Sequence, residues 1–226
     1  MPILSVLMPV YNELNTIRRV IEDVRHVDID TEIILVDDCS TDGTRRLLAE
    51  NYGNTGRVKV IYHEKNQGKG AAVKTALRYA SGDYSIIQDG DLEYDPKDYK
   101  VLLCAALNRQ ADIVYGSRFL KTWRSTSFPH FFVNRVLTAA TNILYGSRLT
   151  DMETCYKMIR TDIFKGLGLR SNRFDIEPEI TARLLKIGYK IVEEPISYKG
   201  RPYHEGKKIT WKDGFMALWA LVKFRI

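Results

Sequence analysis

At 226 residues, 45% hydrophobic and 27% charged, the chain has the composition of one globular domain able to bury a sizeable core. Its formal net charge of +6 and pI of about 9.1 suit an anionic partner: a nucleotide, a phosphorylated lipid or a membrane surface. That charge is too weak to argue for nucleic acid, and no DNA- or RNA-binding motif is present. Cys39, Cys104 and Cys155 are odd in number and widely spaced, which excludes a disulfide framework and fits a reduced, cytoplasmic setting.

Met1–Pro9 lacks a basic n-region and runs straight into a strand, so it is not expected to be a signal peptide. Ile3–Met8 reads as a buried strand, and Asn12 is placed to cap a helix carrying Ile17, Val20, Ile21 and Val24 at helical spacing. Glu32–Val36 is a second strand, followed by a helix capped by Asp42. Val58–Tyr62 is a third strand, Gly70–Ala80 an Ala-rich helix, and Tyr84–Gln88 a fourth strand. A helix at Asp98–Asn108 and a strand at Ile113–Tyr115 complete the series. This alternation predicts an α/β fold with a mainly parallel sheet flanked by helices. After Arg118 the pattern changes to helices at Phe131–Leu144 and Asp175–Ile187, a strand at Lys190–Glu194 and an amphipathic segment at Trp211–Phe224. No linker divides the chain, so residues 1–226 are expected to form a single domain. Its nucleotide-binding part would be 1–117 and its acceptor-binding part 118–226.

Ligands of such sheets sit at the carboxyl ends of the strands, where the polar clusters fall. Asp89-Gly90-Asp91 follows the fourth strand, and two carboxylates so spaced can hold one hard cation together with substrate phosphates. Glu93 can add a third oxygen; the bland alternative is an acidic turn. Asp37-Asp38 ends the second strand as an exposed pair suited to ribose hydroxyls or a base edge, whereas Asp42 reads as a helix cap. Gln67-Gly68-Lys69-Gly70 enters a helix N-terminus that favours anions, with a plain tight turn as its alternative. Neither a Walker A sequence nor GxGxxG is present. Arg118, Arg124, Arg135, Arg201, Lys207 and Lys208 form a basic set suited to phosphate. Arg135 lies on an apolar helix and is expected to need a partner there. The stretch from Arg201 to Lys208 can act as a lid.

These clusters, in this order, resemble the family 2 glycosyltransferases, in the branch of the dolichyl-phosphate mannose synthases and related polyprenyl-phosphate glycosyltransferases. The segments that carry the resemblance are Pro9-Val10-Tyr11-Asn12-Glu13, Ile34 to Thr44, Asn66 to Gly70, Gln88 to Pro96, Gly116-Ser117-Arg118, Asn134-Arg135 and Asp151 to Lys157. Glu177 and Arg201…Gly206-Lys207-Lys208 complete the set. The resemblance implies the GT-A nucleotide-diphospho-sugar transferase fold. It implies that Pro9, Tyr11, Glu13 and Asp37 or Asp38 hold base and ribose. Lys69, Asp89, Gly90, Asp91, Arg201 and Lys208 would contact the rest of the donor. Asp89, Asp91 and Glu93 would take Mg²⁺ or Mn²⁺, and Arg118 and Arg135 would receive an acceptor phosphate, with Asp91, Arg118 and Arg135 as the catalytic set. Two residues depart from the branch: Cys155 where Gly is usual, and Glu93 where Gln is common. The C-terminal membrane spans of many relatives have no counterpart here, nor has the Glu-Asp-x-x-Trp segment that supplies a general base to sugar acceptors.

A phosphate monoester is already anionic and needs no base, whereas a sugar hydroxyl does. The expected activity is therefore inverting transfer of mannose or glucose, from GDP-mannose or UDP-glucose, to a polyprenyl phosphate. The enzyme would be peripheral on the cytoplasmic membrane face, and an oligomer is compatible with the sequence. A saccharide or other hydroxyl acceptor, with Glu177 or Asp151 as base, is the alternative; a non-catalytic nucleotide-sugar-binding module is a third reading.

Overall fold

The computed structural model describes residues 3–53, 56–120, 128–201 and 211–225, with backbone only at 128–130 and 211–213. Arg124, Lys207 and Lys208 lie outside the described residues.

Strands β1 (Leu4–Val10), β2 (Thr31–Asp37), β3 (Val58–Tyr62) and β4 (Tyr84–Ile87) alternate with helices α1 (Ile17–Arg25), α2 (Thr44–Tyr52) and α3 (Lys69–Tyr79). A 3-10 turn at Pro96–Asp98 leads into α4 (Tyr99–Asn108) and β5 (Ile113–Ser117). Then come α5 (Phe128–Tyr145), β6 (Lys157–Arg160), α6 (Thr161–Gly166), α7 (Ile176–Ile187), β7 (Val192–Pro195) and α8 (Trp211–Lys223). Every residue of β1 is buried, which explains a strand written as a continuous apolar run rather than an alternating one.

The sheet runs β3-β2-β1-β4-β6-β5-β7. All pairs are parallel except those of β6, which lies antiparallel to both β4 and β5. The mainly parallel sheet flanked by helices is as read from the sequence. Strand β6 and helix α6 are additions: four residues of β6 with one exposed end offer no periodicity to recognise. Because β6 enters between β4 and β5, the division at residue 117 runs through one sheet. One large core joins Leu4 to Ile196, and a smaller cluster of Leu137, Leu149, Met152, Ala182, Ala217 and Leu221 binds α5, α7 and α8 together. Complete burial of each such aliphatic side chain contributes roughly 1.5–3 kcal/mol.

Two expected caps differ. Asn12 does not cap α1, whose N-cap is Thr16; its Oδ1 accepts the Thr41 amide at 2.8 Å and ties the exits of β1 and β2 together. Asp42 does act at the start of α2, accepting the Thr44 amide at 2.9 Å.

Candidate active site

The carboxyl ends of β1, β2 and β4 converge on one rim. Three of the four non-glycine residues with positive φ sit there among the described residues: Asn12 (53°), Cys39 (65°) and Leu92 (62°). Asn tolerates this conformation, but Leu92 is a bulky outlier, of a kind that clusters at ligand sites. It lies next to Asp91, inside the acidic turn.

That turn is clamped from below. Thr16 at the start of α1 donates to the Gly90 carbonyl at 2.6 Å and to Glu13 Oε2 at 3.0 Å. A Cβ on Gly90 would touch Ile17 and Glu13 at 3.4–3.5 Å, so α1 packs directly under the turn. Gln88, fully buried, receives the hydroxyls of Tyr99 (2.5 Å) and Tyr156 (2.6 Å) on Oε1 and donates to the Asp89 carbonyl.

Each acidic side chain has a cation beside it. Lys69 Nζ straddles Asp89, 2.8 Å from Oδ1 and 2.9 Å from Oδ2. Burial alone would push the Lys69 ammonium down, but Asp89, with Glu177, holds it well above the usual lysine range. Arg201 Nη2 lies 3.2 Å from Asp91 Oδ2, and the same guanidinium grips Glu13 in a fork of two 3.1 Å bonds. Burial and then the charges of Asp89 and Glu93 push the Asp91 carboxyl up to about 7, with Arg201 opposing the shift. Arg201 Nε is buried without a partner.

Glu93, the expected third metal oxygen, is engaged by the 198–201 segment. Its Oε2 accepts the Tyr198 hydroxyl at 2.6 Å and its Oε1 the Arg201 amide at 2.8 Å, so it fastens the 198–201 segment to the acidic turn. Among the described residues no three His, Cys, Asp or Glu side chains form a ready metal cage. The donor set still suits a hard dication. Glu13, Asp89, Asp91 and Glu93 gather around Lys69 and Arg201, and Mg²⁺ is commonly held by one or two carboxylates with substrate phosphates and water.

The acidic pair after β2 is not exposed: Asp37 and Asp38 are 0% and 3% accessible. Asp37 is fixed by Arg45 Nε at 2.9 Å and the Ser40 amide. Asp38 accepts the amides of Gln67 (2.9 Å) and Gly68 (2.7 Å) and contacts His63 Nδ1 at 2.7 Å. The Gly-rich turn expected to hold a ligand anion therefore already holds this carboxylate. Its glycines answer to packing: a Cβ on Gly70 would meet the Ser171 carbonyl oxygen at 2.7 Å. A depression of ≈ 510 Å³ bordered by Tyr62, His63, Glu64, Lys65 and Gln67 opens beside this region. Pro9 lies within the wholly buried β1, and Tyr11 is half-buried just beyond it.

Across the site, Arg118 at the end of β5 is buried and bonded to Asp151 through Nε (2.7 Å), Nη2 (2.7 Å) and its own amide (3.0 Å). Burial would lower its pKa, but Asp151 more than compensates and keeps it above the arginine range. A guanidinium has five N–H donors, so this pair does not exhaust it. Arg135 differs from expectation in being exposed on α5; facing water, it needs no buried partner. It is one turn beyond Phe131, whose ring meets Phe119 edge-on at 5.3 Å, next to Arg118. Glu153, between these groups, was missed as a titrating residue. Burial, then the nearby Glu177 and Asp151, push it up to about 7 against Lys157 and Arg118, and its Oε1 has no partner. Tyr198 also enters the site unannounced, because its partner Glu93 is 105 positions away.

Residues 5–168 match the sequence family described as glycosyl transferase family 2. The chain belongs to that family. This family 2 glycosyltransferase is 26% identical over 209 residues to the undecaprenyl-phosphate mannosyltransferase of Micrococcus luteus, covering 89% of this chain and 85% of the relative. It is 29% identical over 213 residues to the dolichol-phosphate mannosyltransferase of Pyrococcus furiosus, covering 90% of this chain but 58% of that longer protein. Among solved structures, glucosyl-3-phosphoglycerate synthase from Mycobacterium tuberculosis, in complex with Mn²⁺, UDP-glucose and phosphoglyceric acid, superposes with a TM-score of 0.69 at 20% identity. The match covers 99% of this glycosyltransferase and 80% of the synthase. The fold is GT-A.

Proposed function

We propose that this glycosyltransferase moves a hexose, mannose or glucose, from a nucleotide diphosphate sugar to a polyprenyl phosphate, with inversion at the anomeric carbon. The observation that carries the reading is the pair of facing charge sets. Asp89 and Asp91 with Lys69 and Arg201 lie on one side, and Arg118 on Asp151, joined to the helix of Arg135 through the Phe119–Phe131 contact, on the other. Pro9, Tyr11, Glu13, Asp37 and Asp38 lie beside the donor half.

Mg²⁺ or Mn²⁺ held by Asp89 and Asp91 would neutralise the donor diphosphate and stabilise the departing nucleotide; the Mn²⁺ in the mycobacterial structure makes such an ion plausible. Arg201 leaves its fork on Glu13 and Asp91 to meet donor phosphates when they arrive, its unpartnered Nε being one donor available for this. Lys69 stays beside Asp89 and shares it with the charge that the donor brings. Arg118 and Arg135 neutralise the incoming phosphate, whose approach to a diphosphate is otherwise repulsive. Asp151 keeps the Arg118 fork oriented. The acceptor needs no base, because its nucleophilic oxygen is already an anion.

The names of the Micrococcus and Pyrococcus relatives support a lipid-phosphate acceptor, and so does the surface beside Arg118. Nine of the sixteen large apolar side chains exposed among the described residues lie on α5 and α8. These helices pack together, with Tyr145 Oη on the Leu221 carbonyl at 2.6 Å. Phe132, Ile143, Phe215 and Trp219 are 62–83% accessible. With Lys223 and Arg225 at its end, this face suits the headgroup region of a membrane. Among the described residues no helix is long and apolar enough to cross one. We propose that this exposed apolar face holds the enzyme peripherally on the cytoplasmic side of a membrane. Labelled GDP-mannose or UDP-glucose added with a membrane extract should give an acid-labile glycolipid. Label appearing only in a soluble glycan would reject this acceptor.

A second reading keeps the enzyme and makes the acceptor a hydroxyl. Glu153 favours it: a buried carboxyl near 7 with an unpartnered oxygen has the properties of a general base. Asp151 and Glu177 are each engaged by buried cations. Glu153→Gln would abolish hydroxyl transfer and leave transfer to a phosphate largely intact.

A further inference from the structure

The geometry points to Glu177 as a positioning residue that couples the donor-side carboxylate Asp89 to the acceptor-side loop 151–155 through Lys69 and the fully buried Lys157. The inference rests on reading Asp89 as part of the donor site, and goes beyond that reading in assigning a path between the two halves.

The path is a chain of alternating charges. Asp89 is straddled by Lys69 Nζ at 2.8 Å and 2.9 Å. Lys69 Nζ is also 3.3 Å from Glu177 Oε1, an ion pair without a hydrogen bond, as Oε1 has no hydrogen-bond partner. Glu177 Oε2 accepts from Lys157 Nζ at 2.8 Å. Lys157, at 0% accessibility, then donates to the carbonyls of Met152 (2.9 Å) and Thr154, and lies over the Tyr115 ring at 5.0 Å. Those carbonyls belong to the loop that carries Asp151, the partner of Arg118, and Glu153. The same loop passes beneath the acidic turn, where Cys155 Sγ approaches the Ile87 carbonyl at 3.5 Å.

Four elements far apart in sequence are tied by this chain: the start of α3, the end of β4, the start of β6 and the first turn of α7. Among the described residues Glu177 is the anion that both lysines share. Two ammonium groups divide one carboxylate, so a change in the charge facing Lys69 alters how strongly Glu177 holds Lys157. When donor phosphates and a cation settle on Asp89, Lys69 loses part of its partner and draws more on Glu177. Lys157 and the carbonyls it staples must then readjust. In a low-dielectric interior such charge shifts are transmitted with little screening. The acceptor loop thereby senses donor occupancy through contacts that touch neither substrate.

Two measurements test this. The first is hydrogen exchange at residues 151–157 of the full chain, with and without UDP or GDP plus Mg²⁺, alongside a titration of the same nucleotides. Wild type should show exchange altered by roughly fivefold or more on nucleotide binding, in the usual range of coupling between sites. Glu177→Gln should still bind nucleotide and lose that response. Binding without any response at 151–157 in wild type, or an unchanged response in Glu177→Gln, overturns the coupling. Failure of wild type to bind either nucleotide is a separate result that counts against the donor reading.

The second measurement needs no ligand and stands if the first finds no binding. The Tm losses of Asp89→Asn and Lys157→Met, which do not touch each other, should be non-additive in wild type and additive in Glu177→Gln. Additive losses in wild type overturn the coupling. If Glu177→Gln folds poorly, Glu177→Gln/Lys157→Met removes one buried anion with one buried cation, and its exchange response should likewise be lost.

Discussion

Replacing Asp91 with Asn should stabilise the ligand-free protein at alkaline pH while destroying its donor site. Burial, Asp89 and Glu93 raise the Asp91 carboxyl from 3.8 to about 7. A raised acid pKa means that the folded state holds its proton more tightly than the unfolded chain. The contribution of this group is thus most favourable below pH 4, declines as pH rises, and is fully unfavourable above pH 7. Three pH units correspond to a ceiling of about 4 kcal/mol. Losing the 3.2 Å contact with Arg201 offsets part of that, so a net gain of about 1–2 kcal/mol is expected near pH 8. Urea unfolding in EDTA, repeated from pH 5 to pH 8, reads it directly. Wild type should lose stability across this window, and Asp91→Asn should lose less and be the more stable protein at the upper end. A destabilised Asp91→Asn with the same pH slope as wild type would refute the reasoning, since it would mean that the carboxylate is well compensated by its surroundings.

Other perturbations probe the remaining contacts. Arg201→Ala removes the cation beside Asp91, so Mn²⁺ alone should bind about tenfold more tightly by titration calorimetry. Nucleoside diphosphate with Mn²⁺ should bind at least about tenfold more weakly, for loss of charged hydrogen bonds. Asp151→Asn leaves Arg118 buried without its anion; urea unfolding should show a loss of about 3–5 kcal/mol, and acceptor KM should rise more than donor KM. Gly70→Ala drives a methyl into the Ser171 carbonyl oxygen and should cost about 1–3 kcal/mol by thermal unfolding. Glu93→Gln keeps the shape that accepts the Tyr198 hydroxyl while lowering the charge at Asp91. Its pH–stability curve should flatten in the direction of Asp91→Asn, by a smaller amount.

Most elements can be read locally, because buried runs such as Leu4–Val10 and helical spacings such as Ile17, Val20, Ile21 and Val24 are written within a few residues. The position of the acidic turn follows from the same logic, since it closes an apolar strand in an α/β series. Strand β6 is invisible for the opposite reason: its antiparallel place is set by partners 42–76 residues away. Pairing of charges is harder still. Arg201 finds Glu13 across 188 positions, and Arg118 finds Asp151 across 33. No periodicity encodes such matches, so the bond from Tyr198 to Glu93 across 105 positions cannot be read from the sequence. Likewise Asp38 reads as a ligand-facing residue although it fills the Gly-rich turn. Arg135 shows a related limit: an apolar helix suggests burial, yet much of the apolar surface of α5 is itself exposed.

The central claim is that the acceptor is an anionic phosphate, met by Arg118 and Arg135, and not a hydroxyl. Purified protein, Mg²⁺, a labelled nucleotide sugar and either a short prenyl phosphate or the matching prenol would test it most directly. The account predicts an inverted glycosyl phosphate from the phosphate alone, lost in EDTA and in Asp91→Asn, with no product from the prenol. Efficient glycosylation of the prenol or of a free saccharide, with the prenyl phosphate left untouched, would contradict it.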